Sequence, residues 1–235
     1  MTSPQDKHPR PDSNRAPDAR EIRIPPANLA GDLRVPPSAT GIVLFAHGSG
    51  SSRFSSRNRF VARLLEQAGF ATLLLDLLTP EEEQADLPTG HFRFDIELLA
   101  GRLVQATEWL TADPETRALP IGYFGASTGA AAALVAAATL PEKINAVVSR
   151  GGRPDLAAQK LAHVQAPTLL IVGSRDEPVL RLNEDALTHL NSVKKLEIVP
   201  RATHLFEEPG ALEEVARLAS GWFEQYLKRV SAVSG

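Results

Sequence analysis

The chain has 235 residues, of which 43% are apolar, and its formal net charge is −3 with an isoelectric point near 6.1. A protein that binds nucleic acid or a membrane surface needs a basic face to neutralise phosphates or anionic lipids, so this balance argues against both classes and favours a small-molecule partner. The absence of cysteine excludes disulfides, thiolate zinc sites and a cysteine nucleophile.

The two ends of the chain differ in composition. Residues 1–20 are polar and rich in proline, and they predict a flexible tail because they offer little surface to bury. Residues 21–235 are sufficient for one hydrophobic core, and we expect them to form a single α/β domain. We find no membrane-spanning or signal-like apolar run, so we expect a cytoplasmic protein.

The first half of the chain alternates short apolar runs with helical patterns. The fragments IRIP and LRVP, within residues 21–37, predict an antiparallel hairpin of edge strands. Residues 79–90 are acidic and contain two prolines, and they predict a surface loop that is the candidate for a partial lid. The other predicted elements are buried strands at 41–46 and 71–78 and amphipathic helices at 58–68 and 94–110.

The second half continues this alternation, which predicts a mainly parallel sheet with helices on both faces and right-handed crossovers. No stretch between strands is long enough for a separate cap domain, so we expect an open, shallow pocket. The predicted strands are at 144–148, 168–172 and 196–199, and the predicted helices are a short one before Pro167, then 182–190 and 211–227. The last helix could pair two subunits or pack on its own sheet, so the sequence does not decide between a monomer and a homodimer.

A G-x-S-x-G pattern at Gly125–Gly129 separates an apolar run from an alanine-rich segment, which predicts a strand, a sharp turn and a helix. In this arrangement the serine projects from the top of the sheet, and the glycines avoid collisions with the strand and the helix. Ser127 is therefore the candidate nucleophile. The competing interpretation is an ordinary serine that caps the following helix.

A serine nucleophile needs a base, and the base needs an acid that orients it. Asp176 and His204 follow later predicted strands, and the chain order Ser, Asp, His is that of the α/β-hydrolase triad. Ligands bind beyond the carboxyl ends of parallel strands, where these residues fall. Chemistry alone does not separate Asp176 from Glu177. The histidines that compete with His204 are His8, His47, His91, His163 and His189; of these, we expect His47 to orient its own loop.

Five segments carry a resemblance to a known family: HGSGSSRFSSRNRF, GYFGASTGAAAAL, SRGGRPDLA, PTLLIVGSRDEPV and RATHLFEEPG. They resemble the dienelactone-hydrolase-related branch of the α/β-hydrolase superfamily. They are similar in particular to bacterial hydrolase-like domains that occur alone or attached to phosphoribosyltransferase domains. The resemblance implies Ser127 as nucleophile, Asp176 as acid and His204 as base. Dienelactone hydrolases proper carry a cysteine nucleophile, so the serine here favours general ester hydrolysis.

The same resemblance implies an oxyanion hole built from backbone amides. Thr128, directly after the nucleophile, is expected to supply one amide from the start of its helix. The loop His47–Gly50 resembles the HG-x-G oxyanion loop, and we expect the second amide from Ser49, or else from Gly48. The expected activity is cleavage of small, short-chain carboxylic esters through an acyl-enzyme, without a metal or an organic cofactor. The alternatives are a thioesterase, a perhydrolase or a non-catalytic binding module.

Several arginines follow the predicted strands at the active edge. Arg53, Arg150 and Arg153 are candidates for recognition of an anionic group on the substrate, because a guanidinium can donate two parallel hydrogen bonds to a carboxylate or phosphate. The alternative is that they form surface salt bridges with acidic residues such as Glu81, Glu82 and Glu83.

Overall fold

A computed structural model of the chain describes residues 19–227. Residues 1–18 of the predicted tail lie outside this range, whereas Arg20 already begins the first strand. The strands are β1 (Arg20–Ile24), β2 (Leu29–Arg34), β3 (Ile42–Ala46), β4 (Ala71–Leu75), β5 (Ile121–Ala126), β6 (Ile144–Arg150), β7 (Thr168–Gly173) and β8 (Lys194–Val199). The helices are α1 (Ser56–Gln67), α2 (Pro80–Asp86), α3 (Ile96–Ala112), α4 (Thr128–Thr139), α5 (Glu177–His189) and α6 (Ala211–Tyr226), and 3₁₀ segments lie at Phe92–Phe94 and Pro154–His163.

These strands form one sheet in the order β1-β2-β4-β3-β5-β6-β7-β8. The predicted hairpin pairs β1 with β2 and joins the sheet antiparallel through β4, while all other neighbouring strands are parallel. The predicted α/β class with a mainly parallel sheet is thus confirmed. Within residues 19–227 no inserted cap domain interrupts the alternation of strands and helices.

The sheet is covered on both faces, which explains why its central strands are uninterrupted apolar runs. On one face, Phe45 and Phe124 pack with the helices α1 and α6, and their ring centroids are 4.9 Å apart. On the other face, Tyr123 packs with the helices α3 and α4. The apolar side of α6 is buried in the first of these layers, so this helix packs on its own sheet.

The region 79–90 differs from the predicted surface loop, because residues 80–86 form the helix α2. Its start is a capping box: the Thr79 hydroxyl accepts the Glu82 amide at 3.2 Å, and the Glu82 carboxylate accepts the Thr79 amide at 2.8 Å. Pro80 occupies the first helical turn, where its fixed φ is favourable and its missing N–H costs nothing. The prediction failed because the proline was interpreted as a helix breaker.

Parallel strands bring their carboxyl ends to one edge of the sheet. The segments that follow β3, β5, β6, β7 and β8 therefore meet there, and they contain the predicted site residues except Arg150, which is the last residue of β6. No helix within residues 19–227 has the length and apolar character needed to cross a lipid bilayer.

Candidate active site

Ser127 joins β5 to α4 with φ +51° and ψ −122°, a conformation that L-residues rarely adopt. A Cβ on Gly125 would lie 2.4 Å from Ala130 Cα, and a Cβ on Gly129 would lie 2.3 Å from the Ala46 carbonyl oxygen. Both glycines are therefore required for the close packing of strand, turn and helix. The Ser127 side chain makes no helix-capping hydrogen bond, so this serine does not act as an ordinary N-cap of α4.

The strained turn is held by backbone hydrogen bonds to its neighbour β6. The Ser127 amide donates to the Arg150 carbonyl at 3.3 Å, and the Ser127 carbonyl accepts the Arg153 amide at 3.1 Å. Both the N–H and the C=O of Ser127 are therefore hydrogen-bonded to the backbone at the end of β6. This support fixes the position of a side chain whose local backbone is unfavourable.

The predicted acid and base lie in direct contact. Asp176 follows β7, His204 lies in the loop after β8, and His204 Nδ1 is 2.6 Å from Asp176 Oδ2. The carboxylate accepts the Nδ1 proton, which leaves Nε2 of the neutral ring as the basic nitrogen. Glu177 instead contacts Arg181 at 3.6 Å on the surface, so the structure pairs His204 with Asp176 and not with its neighbour.

The predicted base and the predicted nucleophile both lie next to one segment, Arg150–Gly151. The Arg150 carbonyl holds the Ser127 amide, and a Cβ on Gly151 would lie 3.5 Å from His204 Cε1. Gly151 has φ +51°, a backbone conformation that favours glycine at this position. The geometry thus brings Ser127, Asp176 and His204 to one place at the sheet edge.

The competing histidines within the described residues have other contacts. His163 and His189 hydrogen-bond to backbone carbonyls of their own helical segments at 3.2 and 3.0 Å, and both are exposed. His91 is exposed and stands edge-on to Phe92. His8 lies outside the described residues.

The predicted oxyanion loop approaches Ser127 through Gly48, where a Cβ would lie 3.0 Å from Ser127 Cβ. The Thr128 amide belongs to the first turn of α4, whose N–H groups have no acceptor within the helix. The Ser49 amide donates to Thr128 Oγ1 at 2.9 Å. One of the two expected oxyanion donors is therefore already occupied, by a side chain that the sequence did not identify as its acceptor.

His47 holds this loop in place from a buried position. Its Nε2 accepts the Leu77 amide at 3.1 Å, so Nδ1 carries the proton and donates it to the Gly48 carbonyl at 3.0 Å. Burial lowers the pKa of His47, while the hydrogen bond to Gly48 and the charge of Asp76 act in the opposite direction. A protonated ring could no longer accept the Leu77 amide, so the loop requires neutral His47.

This requirement makes the folded state sensitive to acid. As the pH falls below about 6.5, the unfolded chain binds a proton at His47 that the folded chain does not, so the unfolding free energy falls by up to about 1.4 kcal/mol per pH unit. Urea unfolding of wild type and His47→Gln at pH 7 and pH 5.5 measures this loss. We expect the unfolding free energy of His47→Gln to fall less between pH 7 and pH 5.5 than that of wild type. The exposed control His189→Gln should lose as much as wild type. Equal losses in all three proteins would contradict the assignment.

Two of the three predicted substrate-binding arginines are engaged by carboxylates of the chain. The Arg53 guanidinium pairs with Asp76, its backbone amide donates to Asp76 Oδ1 at 2.7 Å, and its Cζ lies 4.2 Å from the Phe54 ring centroid. Arg153 donates two hydrogen bonds to Asp155 at 2.8 and 2.7 Å. The sequence anticipated salt bridges as the alternative, but with Glu81, Glu82 and Glu83 as partners.

A cavity of about 500 Å³ lies beside the nucleophile turn. Its lining includes Thr128, the loop His47–Gly50, and Glu83 and Asp86 of α2. Burial and then the charge of Asp76 raise the pKa of Glu83. Apolar lining residues are Phe54, Leu77, Leu78, Leu87 and Leu99. Among residues 19–227 there is no group of three or more His, Cys, Asp or Glu side chains placed to hold a metal ion.

The chain is similar to known proteins in both sequence and fold. A family model described as the dienelactone hydrolase family matches residues 29–229. The crystal structure of a dienelactone hydrolase from Anabaena variabilis is 63% identical and has a TM-score of 0.87, covering 90% of this chain and 100% of that chain. Est1E from Butyrivibrio proteoclasticus, at 16% identity, shares the fold with a TM-score of 0.73 over 88% of this chain and 98% of its own.

Two Mycobacterium tuberculosis proteins, named provisionally as phosphoribosyl transferases, are 60% identical over 202 residues. The aligned region is 86% of this chain but 45% of each relative, so the chain spans less than half of their length. The family match confirms the resemblance inferred from the five sequence segments, and the structural matches confirm the α/β-hydrolase fold. The chain therefore belongs to the dienelactone hydrolase family and has the α/β-hydrolase fold.

Proposed function

We propose that the protein is a serine esterase that cleaves small, short-chain carboxylic esters, with Ser127 as nucleophile, His204 as base and Asp176 as the acid that orients it. The observation that carries the proposal is the 2.6 Å contact between His204 and Asp176 beside the strained Ser127 turn. A base oriented by an acid next to a serine on a sharp turn is the arrangement that acyl transfer requires.

The first half of the reaction forms the acyl-enzyme. Ser127 Oγ bonds to the ester carbonyl carbon while His204 Nε2 takes the hydroxyl proton, and Asp176 stabilises the resulting imidazolium. The tetrahedral oxyanion then collapses, the bond from the carbonyl carbon to the alkoxy oxygen breaks, and His204 returns the proton to the departing alcohol. The Thr128 and Ser49 amides are the proposed oxyanion donors, with Gly48 allowing the close approach.

The second half regenerates the enzyme. Water loses a proton to His204 and bonds to the acyl carbon, and collapse of the second oxyanion releases the carboxylic acid and free Ser127. The same acyl-enzyme could form from a thioester or be resolved by peroxide, so a thioesterase and a perhydrolase remain the related alternatives. The cavity of about 500 Å³ with an apolar wall supports a small acyl or alcohol group.

Covalent labelling tests the proposal directly. A fluorophosphonate should modify the protein at Ser127, because an activated serine oxygen displaces fluoride from phosphorus, and intact-mass analysis should show the adduct. We expect Ser127→Ala to remain unlabelled, while the control Ser220→Ala, on the helix α6, is labelled like wild type. An unlabelled wild-type protein would instead support the non-catalytic binding module. We attribute the hydrolase chemistry to the region that this chain shares with its longer relatives.

A further inference from the structure

Asn183 is a buried polar side chain on the helix that follows the predicted acid. It lies in α5, which begins directly after Asp176, and it is 0% exposed. Its Nδ2 donates one hydrogen bond to the Val179 carbonyl of its own helix at 2.8 Å and another to the Gly152 carbonyl at 3.0 Å. The second of these bonds joins α5 to the segment that follows β6.

The Gly152 carbonyl belongs to the segment that holds the nucleophile turn. On one side of Gly152 the Arg150 carbonyl accepts the Ser127 amide, and on the other side the Arg153 amide donates to the Ser127 carbonyl. Both backbone bonds of the strained turn are therefore made by this one segment. Asn183 is hydrogen-bonded to the middle of it.

Close packing couples this segment to the start of α4. A Cβ on Gly152 would lie 2.7 Å from Ala130 Cβ, in the first turn of α4, and 2.0 Å from Ser149 Oγ. The Gly151 amide donates to the Ile171 carbonyl of β7 at 2.8 Å. Since no side chain separates the Gly152 backbone from α4, a displacement of this backbone is transmitted to the nucleophile turn.

The side-chain amide of Asn183 is only half paired. Its Oδ1 is buried without a hydrogen-bond donor among the described residues, and an unpaired buried acceptor lowers the stability of the folded chain. Turning the amide over would not help, because both of its partners are carbonyls and need the nitrogen as donor. A bond to Gly152 that is accompanied by an unpaired oxygen favours a role in positioning over one in stability.

We propose that Asn183 is a positioning residue for the nucleophile, which holds the Gly152 carbonyl and thereby keeps Ser127 aligned with His204. This inference rests on the proposed esterase function and adds to it a residue that touches neither the substrate nor the reacting atoms. A backbone as strained as that of Ser127 persists only where its surroundings impose the conformation. Without the bond to Gly152 the turn should relax, which lowers the reactivity of the serine but not the affinity for the ester.

Two substitutions separate the two hydrogen bonds of Asn183. In Asn183→Ser the hydroxyl can still donate to the Val179 carbonyl, four residues earlier in the helix, but is too short to reach Gly152. Asn183→Leu keeps the approximate shape and loses both bonds. We expect kcat for 4-nitrophenyl butyrate to fall at least about tenfold in both variants while KM stays within about twofold of wild type. The rate of fluorophosphonate labelling should fall in parallel.

Thr116→Val is the matched control for the loss of a buried hydrogen bond. Thr116 is 0% exposed, its hydroxyl donates to the Leu110 carbonyl at 2.7 Å, and it precedes β5 at the amino end of the sheet. We expect this variant to melt at a lower temperature but to keep the kcat and the labelling rate of wild type. A wild-type kcat in the Asn183 variants would overturn the proposal. If Asn183→Leu does not fold, a wild-type kcat in Asn183→Ser alone would do so.

Amide hydrogen exchange measures the positioning without catalysis. The Ser127 and Arg153 amides should exchange at least about tenfold faster in Asn183→Ser than in wild type, and Thr116→Val should leave both rates unchanged. Unchanged rates in Asn183→Ser would contradict the positioning role. A wild-type protein that neither hydrolyses the ester nor is labelled would refute the esterase proposal, while faster exchange in Asn183→Ser would still show that Asn183 holds the turn.

Discussion

Replacement of Ser127 by alanine is expected to reduce kcat for a p-nitrophenyl ester by about 10⁶-fold, the effect known for removal of a triad serine. Without the hydroxyl no acyl-enzyme can form, and His204 and Asp176 have no nucleophile to activate. The fold should be retained, because the Ser127 side chain makes no capping hydrogen bond to α4. Steady-state kinetics together with the melting temperature measure both effects.

The matched control for this substitution is Ser220→Ala. The half-buried Ser220 lies within α6, and its hydroxyl contacts Glu224 on the same helix at 2.9 Å. We expect wild-type kcat from this control. Activity of Ser127→Ala within tenfold of wild type, in a folded protein, would refute Ser127 as the nucleophile.

Substitution of Asp176 by asparagine is expected to reduce kcat by about 10⁴-fold. The amide nitrogen of asparagine would face His204 Nδ1, which favours the tautomer with the proton on Nε2 and removes the lone pair that must accept the Ser127 proton. The negative charge that stabilises the imidazolium is lost as well. The shape of the side chain hardly changes, so packing around β7 should be preserved, which the melting temperature can verify.

Glu177→Gln is the natural control because it makes the same chemical change one residue further along the chain. The Glu177 side chain is exposed and contacts Arg181, whereas His204 contacts Asp176. We expect its kcat to equal that of wild type. A larger loss in Glu177→Gln than in Asp176→Asn would mean that the acid has been assigned to the wrong neighbour.

The central sheet could be predicted because its signals are local and strong. Residues 42–46 and 121–126 are uninterrupted apolar runs, as strands covered on both faces must be, and each ends in small or polar residues at the active edge. The G-x-S-x-G pattern also predicted the turn at Ser127, since the collisions that its glycines avoid are properties of neighbouring residues and of one adjacent strand.

Two helices that carry a proline in the first turn differ from the prediction. α2 begins at Pro80, and α5 begins at Glu177, five residues before its predicted start, with Pro178 in its first turn. A proline disrupts a helix interior but is favourable in the first turn, and the two situations look alike when only a proline in a polar stretch is considered. The capping-box pattern at Thr79–Glu82 was the available signal for α2.

The partners of the arginines could not be predicted, because they depend on which distant segments meet in the folded chain. Arg53 and Asp76 are separated by 23 residues and lie on the loops after adjacent strands, so their ion pair follows from strand order and not from spacing. Nothing in the sequence distinguishes Arg150, which is buried, from Arg153, which pairs with Asp155 two residues away. Which arginine is buried is a property of the tertiary structure.

In the proposed oxyanion hole, the Ser49 amide already donates a hydrogen bond to the Thr128 hydroxyl before any substrate binds. When a neutral ester carbonyl reaches the Ser49 amide, the amide exchanges one uncharged acceptor for another, so the hydrogen bond gains little free energy. An oxyanion gains more, because hydrogen bonds to an ionised acceptor are roughly twice as strong as neutral ones. The Thr128 hydroxyl would thus compete with the substrate oxygen for the Ser49 amide. The amide would then stabilise the transition state more than the bound ester, which is the condition for accelerating the reaction.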